Sequence, residues 1–135
     1  MAKLDDKVAW VDGADGEPGR AVALLLAASG ARVLVTGADE RALGRCVGEI
    51  AHGGGKARHV VGSARTEDAA RACVRAAVER FGSVDCAVVE RADVERASLA
   101  IGNRANVVAV DASDPRGAEA VASDVAEAVA TLAPR

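Results

Sequence analysis

The chain contains no tyrosine, and Trp10 and Phe81 are its only aromatic residues. A core without them has to be packed from Val, Ala, Leu and Ile, and a nucleic-acid surface that stacks bases on interleaved aromatics is excluded. Lysine is also scarce, with none after Lys56. Cysteine is limited to Cys46, Cys73 and Cys86, which are odd in number, far apart and without the close pairs of a zinc site. All three are expected to be buried small hydrophobes in a reducing compartment. The two histidines, His52 and His59, have no cysteine, serine or acid at a spacing that suggests a triad or a metal pair, and belong on a helix end or strand edge. No apolar run approaches the ~20 residues that span a bilayer, and Met1 to Lys7 is polar without a signal-peptide core. A cytoplasmic protein with no membrane partner is therefore expected.

What is present suits one globular unit. The 135 residues are enough for a single domain, 1–135, with one buried core. Half are hydrophobic and 27% charged, ordinary proportions for such a domain. The net charge of −3, with arginines alternating with acids along helical stretches, argues against a nucleic-acid partner. Glu67, Asp68, Arg71 and Arg75 read as i, i+4 pairs on a solvated face.

The organising stretch runs from Lys7 to Ser29. The apolar run Val8-Ala9-Trp10-Val11 enters a turn, Asp12-Gly13-Ala14-Asp15-Gly16-Glu17-Pro18-Gly19, and leaves it as a helix from Arg20 to Ser29, closed by Gly30. Further strands are expected at 33–36, 59–61, 84–89 and 106–110, because each is a short, continuously apolar run. Helices are expected between them. Asp39 opens one with Leu43, Val47 and Ile50 inward, and Thr66 opens another with Ala70, Val74, Ala77, Val78 and Phe81 inward, stopped by Gly82. A short helix from Asp93 to Ile101 ends at Gly102. Ser113-Asp114-Pro115 reads as the start of a last helix with Ala118, Val121, Val125, Val129 and Leu132 inward, ending near Pro134. This alternation predicts a three-layer α/β fold, a doubly wound Rossmann-like parallel sheet of about five strands in the order 3-2-1-4-5.

Five stretches in order carry a family resemblance: Lys7-Val8-Ala9 into the glycine turn, Gly19-Arg20-Ala21, Ser29-Gly30-Ala31-Arg32-Val33, Gly54-Gly55-Lys56-Ala57, and Ala77-Val78-Glu79-Arg80-Phe81-Gly82-Ser83-Val84-Asp85. The chain up to about Asp85 resembles the N-terminal half of a short-chain dehydrogenase/reductase. The resemblance implies hydride transfer between NAD(P)H and an alcohol or ketone, yet the residues it would assign are mostly replaced. The family's turn reads Thr-Gly-x-x-x-Gly-x-Gly. Here Gly13 and Gly19 are kept, Asp12 stands for the threonine and Glu17 for the middle glycine. Gly37 and Ala38 stand where an acid or arginine would meet the ribose or its phosphate, and Ser63 where an aspartate would meet adenine. Val89-Glu90-Arg91-Ala92 replaces Asn-Asn-Ala-Gly, and no catalytic residue can be named, since the family's tyrosine and lysine have no counterparts.

A glutamate in place of the middle glycine fills the space a diphosphate would take and sets like charge beside it. Asp12, Asp15 and Glu17 are expected to crowd the first helix's N-terminus, where carboxylates favour the helix, with Pro18 in its first turn. The expectation is a non-catalytic relative without a cofactor, acting as a structural or binding subunit. It would pair with itself or a larger protein through a helical face or through the apolar fifth strand. That strand is expected at the sheet edge, because only Glu90 to Ala105 links it to the fourth, a link too short for the family's interface helix. The first alternative is an NAD(P)-binding oxidoreductase component, holding dinucleotide on Gly13, Gly16 and Gly19 and taking catalytic residues from another chain. The second is a divalent cation at the C-terminal edge of the sheet, on Asp12, Asp15 and Asp111 with Glu90 nearby.

Overall fold

The computed structural model describes residues 4–131. Strands and helices alternate: β1 Val8–Asp12, α1 Gly19–Ala28, β2 Arg32–Gly37, α2 Glu40–His52, β3 Lys56–Val61, α3 Glu67–Phe81, β4 Cys86–Glu90, a 3-10 turn Arg91–Asp93, α4 Val94–Ile101, β5 Asn106–Val110 and α5 Ala118–Ala130. The strands form one sheet in the order β3-β2-β1-β4-β5, with every neighbouring pair parallel. This is the order expected from the sequence.

Because successive strand residues face opposite ways, each strand feeds two cores. Ala9, Val11, Val33, Val35, Cys86 and Val88 meet Val22 and Leu26 of α1, Leu43, Cys46 and Ile50 of α2, and Val121 and Val125 of α5. Val8, Trp10, Leu34, Ala87 and Val89 meet Ala70, Cys73, Val74 and Ala77 of α3 and Ala97 and Ile101 of α4. Trp10, Leu26, Leu34 and Leu43 are fully buried, each contributing about 1.5–3 kcal/mol. The three cysteines are free and buried, and burial pushes the Cys46 and Cys73 thiols up to about 11 and Cys86 to about 12. All three therefore stay protonated at neutral pH.

The helix ends follow local chemistry. Asp39 caps α2 by accepting from the Ala42 N–H (3.1 Å), and Thr66 caps α3 by accepting from Ala69 (3.0 Å). Gly82 ends α3 in the left-handed region, at φ 87°.

The last helix departs from expectation. It begins at Ala118, not at Pro115, because Ser113-Asp114-Pro115 is spent on turns. The Asp111 carboxylate accepts from Ser113 N–H and Oγ, and Asp114 accepts from the Arg116 N–H two residues on. Gly117 then takes φ 92°, which closes off helix on its N-terminal side. Leu132 and Pro134 lie outside the described residues. β3 runs three residues earlier than expected, from Lys56, because it follows β2 in register from Arg32↔Lys56 onward. Of the expected charge pairs on α3, Glu67 and Arg71 meet.

Candidate functional site

In open parallel α/β sheets ligands bind at the C-terminal edge of the strands, and in this chain that edge is rich in carboxylates. β1 ends at Asp12, and the chain turns through Gly13 at φ 76°. Gly19 is required by packing, because a Cβ there would lie 2.4 Å from the Gly13 carbonyl oxygen. A Cβ on Gly16 would meet nothing within 4 Å. The glycine that seats helix against strand is thus functional in the packing sense, and Gly16, next to the position where Glu17 replaces the family's middle glycine, faces open space.

The three acids of the turn do not share the end of α1, contrary to the sequence expectation. Only Glu17 caps it, its Oε1 accepting from the Ala21 N–H (3.1 Å) while Oε2 pairs with Arg20 (3.1 Å). Arg20 also pairs with Glu49 of α2. Pro18 stands just before the helix, which starts at Gly19. The Arg20 N–H donates to the Gly16 carbonyl and the Val22 N–H to that of Pro18. Three N–H groups of the first turn are thereby committed within the chain.

Asp12 turns inward instead. Its Oδ1 accepts from Thr36 Oγ1 (2.7 Å) and its Oδ2 from the Ala64 N–H (3.1 Å), while Trp10 Nε1 donates to Thr36 Oγ1 (2.8 Å). This chain ties β1, β2 and the loop after β3. Burial raises the Asp12 pKa, against the pull of the Thr36 hydroxyl and the Ala64 and Gly13 N–H groups, and the nearby Asp93 charge adds to the rise.

Asp15 reaches across to the loop after β2. A single oxygen, Oδ2, accepts from both the Ala38 N–H (2.9 Å) and the Asp39 N–H (3.0 Å). Gly37 makes room for it, since a Cβ at that position would fall 2.4 Å from Asp15 Oδ1. Nothing in the sequence around Asp15 marks this contact, because its partners lie 23 and 24 residues away.

The same habit continues across the edge. Glu90, the last residue of β4, accepts from the Ala112 N–H (3.2 Å) in the loop after β5. The Ser113 hydroxyl and N–H hold Asp111 below the ordinary carboxylate value, and Arg116 pulls Asp114 down to about 2. Ser63 accepts from the Arg65 N–H within its own loop. His52 ends α2, and His59 lies on the edge strand β3 with Nε2 3.7 Å from Glu40.

Asp12, Asp15 and Asp111 each have separate hydrogen-bond partners, and among the described residues no three His, Cys, Asp or Glu side chains form a group able to hold a metal ion. The residues also do not fit a diphosphate. The Arg20, Ala21 and Val22 N–H groups of α1 and the Ala38 and Asp39 N–H groups after β2 are bonded to the chain itself, and Glu17 adds charge of the wrong sign.

Open grooves lie at the opposite edge. One, of about 790 Å³, runs between α3 and α4 over Val74, Val78 and Leu99, with Arg75 and Arg104 on its rim. A second, of about 710 Å³, adjoins it at Val78 and Arg104. No helix among the described residues is long and apolar enough to cross a membrane.

Residues 7–97 match the family model described as short chain dehydrogenase. The chain is 42% identical over 89 residues to an A-factor type gamma-butyrolactone 1'-reductase (1S-forming) of Streptomyces virginiae, a match covering 65% of this chain and 34% of that protein. Among solved structures it resembles a short-chain type dehydrogenase/reductase from Mycobacterium marinum, with TM-score 0.60 and 34% identity over 63% of this chain and 34% of the other. It also resembles an NAD+-bound xylitol dehydrogenase, with TM-score 0.59 and 31% identity over 64% and 33%. The chain spans about a third of the length of the curated relatives it matches.

Proposed function

The chain belongs to the short-chain dehydrogenase family, and we propose that it serves there as a binding or structural subunit without a dinucleotide of its own. The observation that carries this reading is the committed state of the turn after β1. Glu17 occupies the end of α1 and Asp15 the loop after β2, so the Ala21, Ala38 and Asp39 N–H groups that would face a diphosphate have acceptors already. A bound anion would have to displace two carboxylates from their hydrogen bonds and lie beside their charge. Pairing through the outer edge of β5, or through a helical face, supplies the subunit role. β5 ends the sheet, and its Val107 and Val108 are only half-buried.

The competing reading keeps NAD(P) on Gly13, Gly16 and Gly19 and takes catalytic groups from another chain. It is supported by the NAD+-bound relative at 31% identity and by the open space at Gly16.

Calorimetric titration with NADH and NADPH separates the two. The expected result is no heat of binding at millimolar cofactor for the wild type and weak binding after Glu17→Gly, which removes both bulk and charge. Micromolar binding by the wild type would reject the proposal. Size-exclusion chromatography with light scattering tests the subunit role, and a strictly monomeric protein at micromolar concentration counts against pairing with itself.

A further inference from the structure

We infer that β5 is a docking edge for a second copy of this chain, the two strands pairing antiparallel about a twofold axis at Val108 to make one sheet across both molecules. This deepens the proposed reading and rests on it.

The sequence treats the two edges of the sheet differently. β3 carries Lys56, Arg58 and His59, the kind of side chain that keeps an edge from pairing. β5 carries no charge from Asn106 to Val110, and among the described residues no strand pairs with its outer side. Val107 and Val108 are half-buried and Ala109 is exposed, so apolar cover stops short on both faces of this strand.

The backbone then fixes how a copy can sit. The Asn106 N–H donates to the Asp85 carbonyl at the head of β4 (3.2 Å), so by strand alternation Val108 and Val110 also turn toward β4. The N–H and C=O groups of Val107 and Ala109 are left pointing outward. An antiparallel copy centred on Val108 sets Val107 opposite Ala109 of the other chain, and each such pair exchanges two hydrogen bonds. Between them Val108 meets its own copy at the close spacing of a non-hydrogen-bonded pair, where each valine covers the other.

The charges at the strand ends select the reversed copy as occupant. Arg104 lies before β5 and Asp111 directly after it, so reversing one strand brings Arg104 of each copy to the end where Asp111 of the other stands. A parallel copy would set like beside like, and a partner of one charge sign would suit only one end.

Sedimentation velocity on the whole chain at high micromolar concentration is expected to give twice the 13.6 kDa of one molecule. Ala109→Pro removes an outward N–H and nothing that β4 uses. Its fold should persist by circular dichroism while association weakens at least about thirtyfold, the worth of two hydrogen bonds. Val108→Cys sets one thiol against its own copy at disulfide distance and should cross-link the dimer under a mild oxidant. Ala109→Cys is more exposed but opposite Val107, and should cross-link far less. The native cysteines are buried and stay out of this reaction.

A monomer at every concentration would overturn the inference. So would a dimer that Ala109→Pro leaves intact, or one that cross-links as readily through Ala109→Cys as through Val108→Cys. Such a dimer would pair through another face and leave the subunit reading standing. The cysteine pair decides even if Ala109→Pro fails to fold. Tight NADH binding by the wild type strikes the preceding proposal instead, whatever the mass.

Discussion

At the C-terminal edge of the sheet, carboxylates of Asp12, Asp15, Glu17 and Glu90 reach into neighbouring segments and take their N–H groups. At the N-terminal edge, among the described residues, the Val8 N–H donates to Asp85 (2.8 Å) beside open grooves lined in part by Arg75 and Arg104. The family fold invites ligands to the first edge, where helices present their N-termini. Here several N–H groups of that edge are tied to side chains of the same chain, while open grooves lie at the other.

The contrast breaks most sharply at Gly19. Replacing it by alanine puts a Cβ 2.4 Å from the Gly13 carbonyl, a clash with backbone that cannot step aside, and should cost about 3 kcal/mol in urea unfolding. Next comes Asp12→Ala, which strips the buried Ala64 N–H and the Thr36 hydroxyl of their acceptor, expected at about 2 kcal/mol by the same measurement.

A pH series sharpens the comparison further. Burial lifts the Asp12 pKa above its ordinary 3.8, so the folded chain takes up that proton at higher pH than the unfolded one. Wild type should therefore gain stability relative to Asp12→Asn as pH falls from neutral through the folded pKa, with the gain complete below 3.8. Asp114 runs the other way. Its pKa is pushed down to about 2, so its contribution is present above 3.8 and lost as pH falls through about 2. The smallest effect belongs to the open edge, where Arg75→Ala should change stability by no more than about 0.5 kcal/mol. A larger loss would mean that the groove is better tied than its lining suggests.

Much of this was legible in the residues. Continuous apolar strands, caps at Asp39 and Thr66 and the stop at Gly82 specify elements through neighbours a few positions away, and the sheet order follows from their alternation. Ser113-Asp114-Pro115 misled because residues that cap helices also close turns on themselves, and Gly117 decided between the two. At the candidate site Asp12 and Glu17 stood out as replacements for family residues, and Asp15 as a further acid in the same turn. Where they point did not, since the Asp12 carboxylate meets an N–H 52 residues on and that of Asp15 meets ones 23 and 24 away. Such pairings exist only once the sheet has brought the loops together.

Trp10 is sealed in the sheet with its indole hydrogen tied to Thr36, in a chain that has no tyrosine. Excited near 295 nm, this protein should emit from one fluorophore at one depth, bluish while the seam beneath it holds and reddening as water enters. The molecule thus carries its own optical strain gauge, wired through the Thr36 hydroxyl to the acid at the end of the first strand.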